Sequence, residues 1–290
     1  MRIPAHALRL LILAAFALFF VVPILWLILA PTKTDGALVT SSPLSFGSFH
    51  NVWVAWKHLD AYSSHLYRRW IANSLLYSLS ATAITLVVSI PAGYGLALGK
   101  FPGRKLILGL TLVVMIMPAA ALVLPIFLEL NALHLIGSVF SVILPFSFFP
   151  FGVYLAYIYY ATSMPPELLD AARVDGCDEW LTFRRVALPL AKPVVALVFF
   201  FSFVSNWNNF FLPYVLLANS NQYPITVGLS DLLSSTPSFN PAVGGGGQSV
   251  NIFRPELALA TLLAVIPVAI VFLVSQRALV RGTLGGAVKQ

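Results

Sequence analysis

Six long runs without a charged side chain constrain this chain more than any other feature. They cover approximately residues 10–30, 72–98, 106–128, 135–161, 193–218 and 257–276, and none holds an Asp, Glu, Lys or Arg. A helix needs about 20 apolar residues to cross a hydrocarbon core ~30 Å thick, because lipid offers no partner to an unpaired backbone group. One charge at the centre of such a run costs roughly 2.5–3.5 kcal/mol. The expected fold class is therefore all-α, a polytopic membrane protein with six transmembrane helices. Composition agrees: 9% of the 290 residues are charged, against roughly 25% in an ordinary soluble domain.

Charge also orients the chain. With the N-terminus in the cytoplasm, the inner segments hold 12 of the 17 basic residues, namely Arg2, Arg9, Lys100, Arg104, Lys105, Arg173, Arg184, Arg185, Lys192, Arg277, Arg281 and Lys289. Lys33, Lys57, Arg68, Arg69 and Arg254 remain outside. The positive-inside rule thus predicts that both termini are cytoplasmic. Arg2 and Arg9 before an apolar run imitate a signal peptide, but the run is long and ends without a small-residue cleavage pattern, so it reads as a retained signal-anchor. The net charge of +7 comes with no basic cluster of the kind that neutralises phosphates, so no nucleic-acid partner is expected. Cys177 is the only cysteine, which excludes an intrachain disulfide. The five histidines are scattered, and no metal site is expected.

Two outer loops are long, 31–70 and 219–256, and the second carries the tract Gly244-Gly245-Gly246-Gly247. Such a tract buries too little to order itself and is expected to be mobile, with no chemistry of its own. Pro118, Pro125, Pro145 and Pro150 fall inside the third and fourth runs. The carbonyls they release must be satisfied by neighbouring helices or cavity water. Kinked helices lining a path and ordinary membrane prolines both fit.

Between the fourth and fifth runs lies a cytoplasmic segment with five of the ten acidic residues, Glu167, Asp170, Asp175, Asp178 and Glu179. Pro165 and Pro166 suit a first helical turn, whose dipole Glu167 and Asp170 complement. Asp175-Gly176 supplies a break, since glycine tolerates a left-handed backbone, and Asp175 is a candidate cap for a second helix. Asp178 and Glu179 open that helix, Arg184 and Arg185 close it, and Leu188-Pro189 is expected to stop it. Leu168 and Ala172 make one apolar stripe of this helix-turn-helix; Trp180, Phe183 and Ala187 make another. Two short amphipathic helices are not stable alone. Either they fold back onto the chain's own spans or they dock into a groove on a soluble partner.

This segment resembles the EAA motif of permease subunits of bacterial binding-protein-dependent ABC importers. The consensus Glu-Ala-Ala, two residues, Asp-Gly-Ala, with Leu-Pro further on, is met by Asp170-Ala171-Ala172, Asp175-Gly176-Cys177 and Leu188-Pro189. Asp170 replaces the usual Glu and Cys177 the usual Ala, keeping charge or size. Phe19-Phe20-Val21-Val22-Pro23-Ile24-Leu25-Trp26, Asn73-Ser74-Leu75, Pro224-Ile225-Thr226-Val227-Gly228-Leu229 and the tail from Gln276 to Gly282 with Gly286 to Lys289 are similar, in that order, to the MalG-like carbohydrate branch.

The resemblance implies the MetI-like ABC type I importer permease fold and a bacterial inner-membrane location. Residues 1–34 would hold the N-terminus and first transmembrane helix, 35–69 an external loop, 70–278 the permease core with coupling loop 162–190 and external loop 219–256, and 279–290 a cytoplasmic tail. It further implies a second permease subunit in a heterodimer, an ABC ATPase dimer, an external solute-binding protein, a small-molecule substrate and surrounding membrane lipid. Coupling to the ATPase would fall to Glu167, Asp170, Ala171, Ala172, Asp175, Gly176, Leu188 and Pro189. ATP and Mg would sit on the partner ATPase subunits, with no cofactor and no catalytic residue on this chain. The residues agree, as there is no Gly-x-x-x-x-Gly-Lys-Ser/Thr.

Ser202, Ser205, Asn206, Trp207, Asn208 and Asn209 form an amide-rich cluster in the otherwise apolar fifth run. Uncharged hydrogen-bonding groups beside aromatic faces suit a neutral polyol, which makes Ser205, Asn206, Trp207, Asn208 and Asn209 the candidate substrate pathway. The competing reading is hydrogen bonding between helices. Glu129, Asn131 and His134 read as a solvated outer helix end, and Gly95 with Gly99 as a small-residue pair that packs helices. An ion-coupled secondary transporter is the first rival, disfavoured by the lack of a mid-span acid. An ABC importer of a non-sugar solute such as a glycerophosphodiester, and a membrane-embedded enzyme, are further rivals; the enzyme lacks a catalytic constellation.

Overall fold

A computed structural model describes residues 5–237, 239–240 and 252–284, and every regular element among them is helical. The glycine tract at 244–247 and the tail segment 286–289 lie outside the described residues. In chain order the helices are α1 (Ala5–Leu29), α2 (Asp35–Thr40), α3 (Phe49–Ala61), α4 (Leu66–Leu98), α5 (Arg104–Ile116), α6 (Val123–Ala132), α7 (Val139–Ser147), α8 (Pro150–Thr162), α9 (Pro166–Val174), α10 (Glu179–Leu190), α11 (Lys192–Trp207), α12 (Phe211–Leu216), α13 (Ile225–Ser234) and α14 (Arg254–Leu284). By length and apolarity α1, α4, α7 with α8, and α14 each qualify as one crossing, and the number rises to as many as six when the bent segments α5 with Ala119–Ala132, and α11 with the helix before it, each count as one.

The chain divides into two compact units. One takes in the chain up to Arg69 together with Gly228–Ile266; the other takes in Trp70–Val227 and the stretch from Pro267 onward. In the first unit α1 buries none of its apolar window, while Leu59 and Tyr67 are fully buried. The Tyr67 hydroxyl donates to the Ala260 carbonyl at 2.8 Å, and His58 Nδ1 meets buried Glu256 at 2.8 Å. In the second unit two apolar cores form. One gathers Tyr77, Val123, Val142, Phe146, Leu212 and Leu216. The other gathers Ile90, Tyr94, Ala156, Tyr160, Val194 and Val198 with residues of α9 and α10.

Helix-packing glycines lie elsewhere than predicted. A Cβ on Gly95 would meet nothing within 4 Å, and one on Gly99, just past the end of α4, would meet the Gly95 carbonyl and the Phe101 ring, so that pair joins no two helices among the described residues. The close approach belongs to Gly93, where a Cβ would fall 2.4 Å from that of Ala156 on α8, and to Gly152, where it would fall 2.9 Å from Val198 on α11. Spacing alone identifies the small residues but not the helix face that meets a neighbour.

Three of the six apolar runs are broken. The third divides between α5 and the segment Ala119–Ala132 with a bend of 105°. Pro118 accounts for the break: it lacks an N–H and disfavours the helical region for Met117, whose ψ is 133°. The fourth is interrupted at 148–149, and Pro150 opens α8 as its first residue. The fifth ends its main helix at Trp207 and resumes as α12. At ~1.5 Å per residue, the 16 residues of α11 rise about 24 Å, short of a ~30 Å core, so α12 is needed to complete the crossing.

Candidate functional site

The acidic hairpin consists of α9 and α10. Pro166 opens α9, and Glu167 lies in its first turn. At the other end the Gly176 N–H donates to the Arg173 carbonyl at 3.1 Å and the Cys177 N–H to the Ala172 carbonyl at 3.0 Å. These paired bonds make a Schellman ending with Gly176 at the left-handed position, where its φ is +83°. A Cβ there would meet nothing within 4 Å, so the requirement for glycine comes from the backbone angle and not from crowding. Asp175 forms the end of α9 and does not cap the second helix. That role belongs to Asp178, whose carboxylate accepts the Leu181 N–H at 2.7 Å.

Leu188-Pro189 does not stop α10 either. A wider π-type turn over Phe183–Ala187, closed by the Leu188 N–H on the Phe183 carbonyl, shifts the bonding ladder just ahead of Pro189. The helix continues to Leu190, and the chain then bends 76° into α11. The Tyr159 hydroxyl holds the Leu190 carbonyl at 2.6 Å across this bend.

The inner face of the hairpin folds back onto the chain's own spans, and its outer face stays exposed. Leu169, Ala172, Phe183 and Ala187 are buried, and Leu169, Phe183 and Ala187 share one core with Tyr94, Tyr160 and Val194. Leu168 and Trp180, expected on the apolar stripes, are exposed instead. With them on the outer face lie Glu167, Asp170, Ala171, Val174 and Asp175. Arg173 bridges the two helices, at 2.9 Å from Asp170 and 3.0 Å from Glu179. The Glu179 hydrogen bond, then that of Asp170, raises the Arg173 pKa further above its ordinary value. The Tyr94 hydroxyl donates to Glu179 at 3.3 Å and so ties the start of α10 to α4. Behind the hairpin the Tyr160 and Thr182 hydroxyls are buried with no hydrogen-bond partner among the described residues.

The three breaks of the apolar runs converge on one pocket of about 300 Å³. Ala119 and Ala120 after Pro118, Phe148 and Phe149 between α7 and α8, and Asn209 between α11 and α12 all line it. Non-helical backbone at membrane depth is tolerated where it faces a cavity or protein, so the clustering has a physical reason. Ser205, Asn206 and Asn209 supply its polar wall. Trp207 and Asn208 are not part of that wall: Trp207 is buried against Phe203 with ring centroids 5.6 Å apart, and the exposed Asn208 amide donates to the Val204 carbonyl at 3.0 Å.

Hydrogen bonds between helices occupy the adjacent turn of α11. Ser202 lies 3.3 Å from the Thr82 hydroxyl and 3.4 Å from that of Thr85, and Thr85 donates to the Ser147 carbonyl at 3.0 Å. The Asn206 amide reaches Ser202 at 3.5 Å and is 6% exposed. Thr82 and Thr85 were not singled out from sequence; a repeated hydroxyl on one face of an apolar run was the available signal.

Residues 89–285 match the family described as "Binding-protein-dependent transport system inner membrane component". The chain is 36% identical, over 77% of its length and 74% of the relative's, to the arabinooligosaccharides transport system permease protein AraQ of Bacillus subtilis. It is 30% identical, over 94% of its length and 92% of the relative's, to the lactose transport system permease protein LacG of Rhizobium radiobacter. The fold superposes with a TM-score of 0.77 at 23% identity, covering 93% of this chain and 94% of the other, on a chain of a bacterial ABC transporter involved in the import of the acidic polysaccharide alginate.

Proposed function

This chain belongs to the binding-protein-dependent transport system inner membrane components, and from that premise we propose that it is the permease subunit through which an ATP-driven importer moves a carbohydrate or related polyol. The named solutes of its relatives, arabinooligosaccharides and lactose, support a hydroxyl-rich cargo. So does the pocket, whose Ser205, Asn206 and Asn209 offer uncharged hydrogen bonds among apolar walls.

The observation that carries the coupling assignment is the two-faced hairpin. Its inner face is locked into the permease core through Leu169, Phe183 and Ala187. Its outer face keeps Glu167, Leu168, Asp170 and Ala171 exposed. A body rigidly joined to the spans on one side and free on the other acts as a lever for a partner seated on it. In this reading Glu167, Asp170, Ala171 and Asp175 meet the ATPase, while Ala172, Gly176, Leu188 and Pro189 keep the lever in shape. ATP and Mg are then bound by the ATPase pair. A second permease subunit completes the pathway, an external solute-binding protein delivers the solute, and both termini face the cytoplasm.

Co-purification from native membranes tests the assembly. Recovery of an ABC ATPase and a second membrane subunit supports the proposal, and recovery of neither refutes it. A sugar panel read by the thermal shift of the cognate binding protein tests the cargo; a shift with no carbohydrate or polyol removes that part of the reading.

A further inference from the structure

The segment after α1 holds a second apolar site, on the outer side of the membrane in the orientation argued above. Lys33 is 3% exposed, and its Nζ donates to the Ser42 carbonyl at 2.6 Å and the Pro43 carbonyl at 3.2 Å. The turn thus held lies beside α1: Val22, Pro23, Trp26, Ser42, Pro43 and Leu44 line a groove of about 530 Å³. Val22 is seven residues before the end of α1 at Leu29, or about 10 Å down the helix at ~1.5 Å per residue. The groove therefore reaches to a depth that belongs to acyl chains, not to water.

The backbone is arranged for that depth. An unpaired carbonyl in lipid costs several kcal/mol, and Lys33 pairs two of them. The turn is stapled to the outer end of α1 by the Gly47 N–H on Thr32 Oγ1 at 3.0 Å, and by the Ser48 N–H and Asn51 amide on the Thr32 carbonyl at 2.7 and 2.8 Å. A Cβ at Gly47 would fall 2.1 Å from that carbonyl oxygen, so the close approach requires glycine.

What the segment presents outward is apolar and then amphipathic. Leu44 and Phe46 are exposed, followed by Phe49 (78%) and Trp53 (55%). Phe49, Trp53 and Lys57 recur every four residues on α3 and so share one face, with Lys57 Nζ 5.5 Å from the Trp53 ring centroid. Aromatic rings that give way to a cation along one face mark a helix that rises from the membrane interface, with Phe49 at its deep end and Lys57 at the headgroup side. The groove is continuous with α1, whose apolar window is left exposed by the described residues.

We propose that residues 33–53 form a re-entrant collar seated in the outer leaflet, and that the acyl chain of a phospholipid fills the groove between α1 and the 42–44 turn. The collar fixes the height of α1 in the bilayer through lipid contact.

The test uses the assembled transporter in nanodiscs of phosphatidylethanolamine and phosphatidylglycerol. Spin labels at Leu44→Cys, Phe49→Cys and Lys57→Cys, each with Cys177→Ala, report collision with oxygen against a nickel chelate. A several-fold higher oxygen-to-nickel ratio at Leu44 and Phe49 than at Lys57 is expected. A nickel-favoured label at Leu44 puts the turn in water and overturns the proposal; protection from both reagents means that a protein covers it and overturns it equally. A phospholipid with a diazirine on its acyl chain, applied to the unaltered chain, should cross-link within 22–26 or 42–44, and absence of any adduct there also sinks the idea.

Discussion

The acidic hairpin and the amide-rich end of the fifth apolar run pose the same question, and the structure divides them differently. In the hairpin, self-packing and the free surface fall on opposite sides of the same two helices. In the amide segment they fall on successive turns of one helix and the break that follows it: Ser202 bonds to Thr82 and Thr85, while Ser205, Asn206 and Asn209 face the pocket. A polar residue in an apolar setting is thus assigned by the neighbour it faces, and its type leaves both assignments open.

The largest effect that would break this comparison is expected at Gly176. Gly176→Pro removes the N–H that bonds Arg173 and cannot adopt a φ of +83°. Uptake and ATPase stimulation by the reconstituted complex should fall to background, with membrane insertion unchanged in a protease-protection assay. Transport at the native rate would remove the hairpin from the coupling path.

Next in size is the contrast between two neighbouring amides. Asn206→Leu should raise the transport KM about tenfold, as loss of ~1.4 kcal/mol of solute hydrogen bonding predicts. Asn208→Leu, outside the pocket wall, should leave the KM within about twofold, a difference of under ~0.5 kcal/mol. Equal effects would return the segment to a purely structural role.

A milder change sharpens the account of Gly176. Since nothing crowds a Cβ there, Gly176→Ala should cost only the left-handed strain of about 1–2 kcal/mol. The complex should melt a few degrees lower and still transport. A loss as complete as that of Gly176→Pro would mean that the position is limited by space in the docked assembly.

The smallest effect is expected behind the hairpin. The Tyr160 hydroxyl is buried without a partner among the described residues, so Tyr160→Phe should be neutral or stabilising by up to about 1 kcal/mol in thermal unfolding. Marked destabilisation would show that this hydroxyl has a partner in the working complex.

The residues themselves announced much of this fold. Six uncharged apolar runs set the class because a charge or an unpaired backbone group in lipid costs several times the thermal energy. The hairpin was legible for a local reason: Pro166, Gly176 and Asp178 act within one or two turns of where they stand. The reading erred where a residue has two local uses. Asp175 and Asp178 are both competent caps, and only the path of the chain after Gly176 selects Asp178.

What the tertiary structure alone decided is the direction in which each group faces. That Gly93 and not Gly95 lets α4 touch α8, that Leu169 and not Leu168 is buried, and that three proline- or asparagine-rich breaks meet at one pocket all depend on helices distant in sequence. Hydropathy specifies that a segment enters lipid, since transfer free energy adds up residue by residue. It leaves a helix free to turn about its own axis, and packing against its neighbours removes that freedom.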